Sequence, residues 1–192
     1  MGVKSFKPTT PTRRHGQVSD FAEITVARPY RPLTETFGKS GGRNSHGHKT
    51  APRRGGGHRK KYRIIDFRRL KHGVSATVKT IEYDPNRSSR IALLEYQDGT
   101  MAYVVAPDKL AVGDMIESGH DAEIKIGNHL PIGKIPPGTF IHNLEIRKGM
   151  GAKLVRSAGA AAQIVTIDEA NVHVKLPSGE VRMFSGECFA TV

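Results

Sequence analysis

Two patterns of apolar and polar positions divide this chain. Over roughly its first third, basic residues alternate with Pro, Gly, Thr and Ser, with neither helical nor strand periodicity; the exception is a short apolar patch at Phe21, Ile24 and Val26. The stretch from Gly38 to Gly57 holds seven glycines, an entropy cost that only a firm external template would recover. This part is expected to be an extended arm, disordered in isolation and ordered on its partner.

From Tyr62 the pattern turns to strands. Tyr62 to Phe67 (YRIIDF) is β-prone. Val74, Ala76 and Val78 then alternate before the phase slips to Ile81 and Tyr83, which predicts a bulge near Lys79 or Thr80. A turn at Asp84-Pro85-Asn86 leads to a strand from Arg90 to Gln97. Asp98-Gly99 then predicts a two-residue hairpin into Thr100 to Val105. Short strands, evenly punctuated, favour a small barrel.

After a loop at Gly127 to Pro137, a second set is expected at Phe140 to Ile146, Ala162 to Ile167, Val172 to Leu176, Val181 to Phe184 and Cys188 to Thr191. Its clearest hairpin turns at Pro177-Ser178-Gly179. That hairpin is expected to place Val172, Val174 and Leu176 on one face with Val181 and Met183, and His173, Lys175 and Arg182 on the other. One short helix is expected near Ala158 to Ala162, and no fixed-period repeat is present. The predicted architecture is all-β: a basic arm followed by two barrels.

Charge sharpens this division. Residues 1–72 carry 18 Lys and Arg against 4 Asp and Glu, whereas residues 73–192 carry 12 against 14. A block so one-sided repels itself and is suited to a polyanion, with counterion release favouring binding. The remaining 120 residues suffice for one medium domain or two small ones, each marginal alone. The single cysteine, Cys188, cannot form an internal disulfide and sits in an apolar run (ECFATV), which predicts a buried structural thiol. The N-terminus lacks the apolar run of a secretory signal, and no stretch reaches the length of a membrane span.

Several apparent motifs carry no chemistry. Gly38-Lys39-Ser40 resembles the end of a phosphate-binding P-loop, but Leu33 stands where that motif needs glycine. Gly149-Met150-Gly151 is followed by Leu154 where a dinucleotide fingerprint needs its third glycine. His46, His48 and His58 have no cysteine near them and only glycines to set their geometry, so no metal is expected there. No serine, histidine and carboxylate set points to a nucleophile. No catalytic residue and no cofactor of the chain's own is expected; Mg2+ or K+ would accompany bound RNA.

The informative stretch is Arg53 to Lys71, RRGGGHRKKYRIIDFRRLK, with three glycines that permit close backbone approach to phosphates and nine Lys or Arg around them. Tyr62 and Phe67 provide stacking anchors within this charge, and the run leads directly into a barrel. Folded or single-stranded RNA suits this better than duplex DNA, since no recognition helix for a major groove is visible. Within it Arg53, Arg54, His58, Arg59, Lys60 and Lys61 are candidate RNA contacts.

The chain also resembles the universal large-subunit ribosomal protein two family, in its bacterial form. The resemblance rests on SDFAEIT at Ser19 to Thr25, GRN at Gly42 to Asn44, and RRGGGHRKKYRIIDFRR at Arg53 to Arg69. It continues in EYDPNRSSRIALLEY at Glu82 to Tyr96, LVRSAG at Leu154 to Gly159 and LPSGEVR at Leu176 to Arg182. It implies an oligonucleotide-binding-type (OB) five-stranded barrel over residues 61–125 and a Src-homology-3-like barrel over 126–192, behind an arm at 1–60. By position it implies RNA contacts from Arg68, Arg69, Lys71, Arg87 and Arg156; the alternatives are a turn-capping role for Arg87 and a surface ion pair for Arg156.

The implied function is structural: to bind large-subunit ribosomal RNA near the peptidyl transferase centre, alongside other ribosomal proteins, and to support assembly and subunit association. The expected location is the cytoplasmic ribosome, or an organelle interior if the chain is synthesised there. Family members usually run on past CFATV into a histidine- and glycine-rich extension, whereas this sequence ends at Val192. A separately encoded C-terminal chain is the expected source of that extension; a ribosome without it, or a fragmentary sequence, are the alternatives. Two other functional classes compete. A free RNA-binding regulator would use the same barrels without stable assembly, and an RNA-modifying enzyme would need an acid/base pair or cofactor pocket that the sequence does not offer.

Overall fold

The computed structural model describes residues 2–36 and 38–192. In the arm, strands β1 (Val3–Ser5) and β2 (Gln17–Ser19) pair antiparallel, with Val3 opposite Ser19. Between them lies a single helical turn, α1 (Pro11–Arg14). Pro11 suits its first position, and the Thr10 hydroxyl accepts from the Arg13 N–H at 3.3 Å. No residue of α1 is buried, and four residues cannot hold a helix without packing.

Beyond β2 the arm joins the first barrel. The Thr25 N–H donates to the Ile81 carbonyl at 3.0 Å, and the Ile81 N–H donates to the Thr25 hydroxyl at 3.0 Å. The Tyr30 N–H donates to the Tyr103 hydroxyl at 2.7 Å. Strand β3 (Thr34–Thr36) pairs antiparallel with β4 (Lys61–Arg63). The stretch read as an arm up to residue 60 therefore makes backbone ladders with the barrel. Hydrophobic periodicity gave no sign of this because edge-to-edge pairing uses main-chain groups rather than a buried apolar stripe.

The barrel strands follow as β5 (Ala76–Glu82), β6 (Ile91–Tyr96), β7 (Met101–Val105) and β8 (Met115–Ile116), in the sheet order β7-β6-β5-β8. The run after β4 joins this sheet through a parallel bridge between Ile65 and Tyr103. The register of β5 slips between Val78 and Thr80, where the sequence predicts a bulge. Its consequence differs from the expectation at one residue. Past the bulge Glu82 turns inward, 2% exposed, and Tyr83 turns outward. The Glu82 carboxylate accepts from the Tyr103 hydroxyl at 2.7 Å and from Thr80 at 3.0 Å, so the inward carboxylate is hydrogen-bonded.

Strand β6 is buried on both faces. Ala92, Leu94 and Tyr96 enter the barrel core with Ala76, Val78, Val104 and Ile116. Ile91 and Leu93 enter a second cluster with Ile65, Tyr103 and Val105, over which Leu33 and Phe67 pack. The arm residue Leu33 thus covers an apolar face that would otherwise meet water.

The second body contains β9 (His129–Pro131), β10 (Phe140–Ile141), β11 (Leu144–Glu145), β12 (Ala152–Leu154), β13 (Ala162–Ile167), β14 (Asn171–Lys175), β15 (Val181–Ser185) and β16 (Phe189–Thr191). β10, β13, β14 and β15 form one sheet in that order, and β16 pairs with β9, β11 with β12. Their inner faces enclose a core that includes Leu130, Ile132, Ile141, Leu144, Ile164, Val172, Val174, Phe184 and the buried Cys188 thiol.

Five expectations are corrected here. The hairpin between β6 and β7 has a three-residue loop, Gln97 to Gly99, where Asp98-Gly99 predicts two, because Tyr96 meets Thr100 and Glu95 pairs with Met101. The loop at Gly127 to Pro137 contains β9 and a 3-10 turn at Ile132–Lys134. The strand expected over Phe140 to Ile146 breaks at Asn143, whose φ is +50°. The helix expected near Ala158 is a turn closed by the Ala160 N–H to the Ser157 carbonyl, and Ala162 already opens β13. In the β14–β15 hairpin Lys175 faces Val181, Val174 faces Arg182 and His173 faces Met183. The Leu176 N–H bonds to the Glu180 carbonyl, leaving a three-residue loop that pairs odd positions with odd. Val181 and Met183 therefore share the outer face of His173 and Lys175, and Arg182 lies across from Val174.

Candidate nucleic-acid interface

The basic run Arg53 to Lys71 passes from an open glycine loop into the joint between the two bodies. In the loop, Arg53, Arg54, His58, Arg59, Lys60 and Lys61 are all exposed. Lys39 gathers this loop from one side, its ammonium donating to the carbonyls of Gly56, Gly57 and His58 at 3.3, 3.2 and 3.0 Å. Gly55 approaches Gly41 so closely that an added Cβ would lie 2.4 Å from the Gly41 Cα, so glycine is required at this crossing. The His58 Nδ1 lies 3.0 Å from the Arg59 carbonyl.

Further along, Asp66 shapes the chain by accepting from the N–H groups of Arg68 and Arg69 at 3.0 and 2.8 Å. The two arginines then diverge. Arg68 is exposed, whereas Arg69 is 4% exposed and its Nη1 donates to the Gly127 carbonyl in the second body at 2.7 Å. Ser118 donates to the Arg69 carbonyl at 2.9 Å. Burial pulls the Arg69 guanidinium below its ordinary range, against the Tyr96 hydroxyl and the Asp66 carboxylate, which favour the charge. Of the residues expected to touch RNA, Arg69 is the one the fold withdraws from the surface: it joins the two bodies.

Phe67 is the centre of this joint. Its carbonyl accepts from the Ala152 N–H at 2.8 Å. The Arg156 guanidinium lies 4.8 Å from its ring centroid and that of Arg87 lies 5.7 Å away, both within cation–π range. Arg87 is also held by Asp84, Nε to Oδ2 at 2.6 Å, and so caps its own turn as well as facing Phe67. Asn86 ties that turn to β4 by donating to the Lys61 carbonyl at 2.7 Å. Lys71 hydrogen-bonds Asp98 and Thr100 and sits over the Tyr96 ring at 4.8 Å, leaving it less free than Arg68 or Arg156.

The opposite wall of the joint comes from the loop after β11. Glu145 is buried, and its carboxylate accepts from the N–H groups of Gly149, Gly151 and Phe189 at 3.2, 2.8 and 3.2 Å. This folds Arg147 to Gly151 into a tight loop whose Gly151 abuts the Arg68 side chain. Arg147 and Lys148 in the loop and Lys153 in β12 are exposed cations, with Lys148 paired to Glu187 at 3.0 Å. Sequence reasoning passed over these three; their signal was a basic cluster around Gly149-Met150-Gly151, which drew attention only as a failed dinucleotide motif. Around Phe189 stand His72, His120 and His129 at ring-centroid distances of 5.3, 5.2 and 5.3 Å. Burial, then the Arg69 charge, holds His129 well below the usual histidine range and pushes His142 down to about 4.

Residues 30–118 match the family model for Ribosomal Proteins L2, RNA binding N-terminal domain, and residues 125–192 match the model for Ribosomal Proteins L2, C-terminal domain. The chain belongs to the ribosomal L2 family. It is accordingly a large-subunit ribosomal protein with an RNA-binding function, in a family that is structural in role. The curled sheet of the first body and the small barrel of the second correspond to the family's OB and Src-homology-3-like folds. The matches place the protein on the ribosome with ribosomal RNA and other ribosomal proteins, and give no support to a separately encoded C-terminal chain. The first match begins at residue 30, close to where Tyr30 is tied to Tyr103. No helix among the described residues is long and apolar enough to cross a membrane.

Proposed function

We propose that this protein is a non-catalytic element of the large subunit that docks on ribosomal RNA near the peptidyl transferase centre. There it supports assembly of the subunit and its association with the small one. The observation that carries this reading is the seam at Phe67, where cations from both bodies converge on one ring and continue into an exposed basic loop. Phosphate contacts fall to the loop residues Arg53, Arg54, His58, Arg59, Lys60 and Lys61, and to Arg68, Arg156 and Lys153 along the seam. Arg87 and Lys71, each already paired with a carboxylate, contribute charge at closer range to the protein, and Arg69 acts from within. Mg2+ or K+ at this contact belongs to the RNA, and the reading gives the chain no cofactor of its own.

The test is binding of the full chain to a large-subunit RNA transcript at several salt concentrations. Each lost phosphate contact lowers the slope of log K against log salt by about one. Arg68→Glu with Arg156→Glu is expected to reduce the slope by about two and affinity at least tenfold. An unchanged slope would show that RNA docks elsewhere. Co-sedimentation with large subunits at high salt distinguishes a stoichiometric component from a free regulator, which would wash off.

A further inference from the structure

Outside the seam, one pair of aromatic rings is displayed in a way that stability alone does not account for. Phe21 and Tyr83 meet edge to face, centroids 5.6 Å apart at 79°, and each is 45% exposed. Phe21 has φ +57°, a left-handed backbone that bulky side chains rarely adopt and that recurs at functional positions. Local bonds hold it there: its N–H donates to the Ser19 hydroxyl at 3.3 Å, and its carbonyl accepts from the Ile24 N–H at 3.0 Å. Arg90 backs both rings, with its guanidinium 5.0 Å from the Phe21 centroid and 5.7 Å from that of Tyr83. Glu23 at 2.8 Å and Ser19 at 3.0 Å fix that guanidinium in place.

We infer that Phe21 and Tyr83, backed by Arg90, form a stacking site for an unpaired nucleobase of the bound RNA. The inference rests on the RNA-docking reading above and extends it to residues outside those named at the seam; Phe21 lies outside both matched regions, and Tyr83 and Arg90 lie within the first. A base is the favoured occupant because the stretch 1–72 that carries Phe21 holds 18 Lys and Arg against 4 Asp and Glu. Asp20 and Glu23 flank Phe21, Arg90 supplies the cation at the rings themselves, and an aromatic face beside a cation accepts any base without needing hydrogen-bond readout. The rings are preorganised, so a base entering the corner between them orders no loop.

The test uses the full chain with a large-subunit RNA transcript, irradiated with short-wavelength ultraviolet light and digested for mass spectrometry. Nucleotide adducts are expected on the peptides carrying Phe21 or Tyr83. Phe21→Leu and Tyr83→Leu are expected to weaken binding about tenfold each. If wild-type chain binds RNA but neither ring is modified, the site is overturned, even where Phe21→Leu weakens binding, because the ring then serves only to hold the arm. Wild-type affinity in both variants, without adducts, overturns it equally. Failure of the wild-type chain to bind the transcript would overturn the docking reading itself and this inference with it.

Discussion

Arg68 and Arg69 are chemically identical neighbours with opposite fates. Asp66 turns the backbone so that one faces water and the other enters the joint. Nothing local distinguishes them in sequence, because the groups that bury Arg69 come from Gly127 and Ser118, some fifty residues away. Arg69→Ala is expected to lower unfolding free energy by about 2–4 kcal/mol, from a cavity and an unpaired carbonyl. Arg68→Ala should stay within about 0.5 kcal/mol while weakening RNA binding. Urea unfolding of both variants, paired with RNA titration, separates the two roles.

His142 belongs to the same joint. Its folded-state pKa of about 4 lies below the ordinary value near 6.5, so it binds its proton more readily in the unfolded chain. Its stabilising contribution is therefore present above about pH 6.5 and is lost as pH falls toward about 4. By pH 5 the loss from His142 alone is about 2 kcal/mol. His142→Gln should flatten this part of the stability curve in urea melts across that range; an unaltered curve would mean that the ring is solvated in the native protein.

At the scale of elements, what alternates locally was legible and what depends on distant partners was not. The bulge in β5 appeared as a phase slip, and the place of the β6–β7 hairpin appeared in its turn residues. Its loop has three residues, Gln97 to Gly99, rather than two, because the Tyr96 N–H bonds to the Thr100 carbonyl and Glu95 pairs with Met101. The β14–β15 register was misassigned because a three-residue loop and a two-residue loop pair opposite parities, and Pro-Ser-Gly does not choose between them. Glu82 was missed as a buried residue because its burial is made tolerable by Tyr103, which the fold places opposite, together with Thr80 two residues back on the same strand. Gly151 was noticed for the wrong reason. Its φ is +79°, and an added Cβ would sit 3.0 Å from the Arg68 Cγ and 3.2 Å from the Phe67 carbonyl oxygen. Gly151→Val is expected to force the loop away from β4's continuation, costing at least about 1 kcal/mol from backbone strain. The check is a lower thermal midpoint together with faster exchange of the Ala152 amide, which bonds to Phe67.

For the molecule as a whole, charge asymmetry foretold the partner, and the fold shows how that charge is carried. Two small barrels with separate cores would each be marginal alone. They are joined by the Phe67 to Arg69 strip, by Ser118 pairing with His129 and by Ala158 bonding to Ser88 at 3.1 Å. The strip that joins the barrels also lines the cationic seam, so loss of the joint and loss of RNA docking are coupled. The outer sheet face of the second barrel, where Phe140, Val181 and Met183 are exposed beside His173 and Lys175, is assigned no RNA.

The most direct test of this account is to crosslink RNA to protein within purified large subunits and map the modified peptides of this chain. The account predicts adducts on Arg53 to Lys61, around Arg68 and along Arg147 to Arg156. Adducts confined to the outer face of the second barrel, or absence of the chain from large subunits, would contradict it.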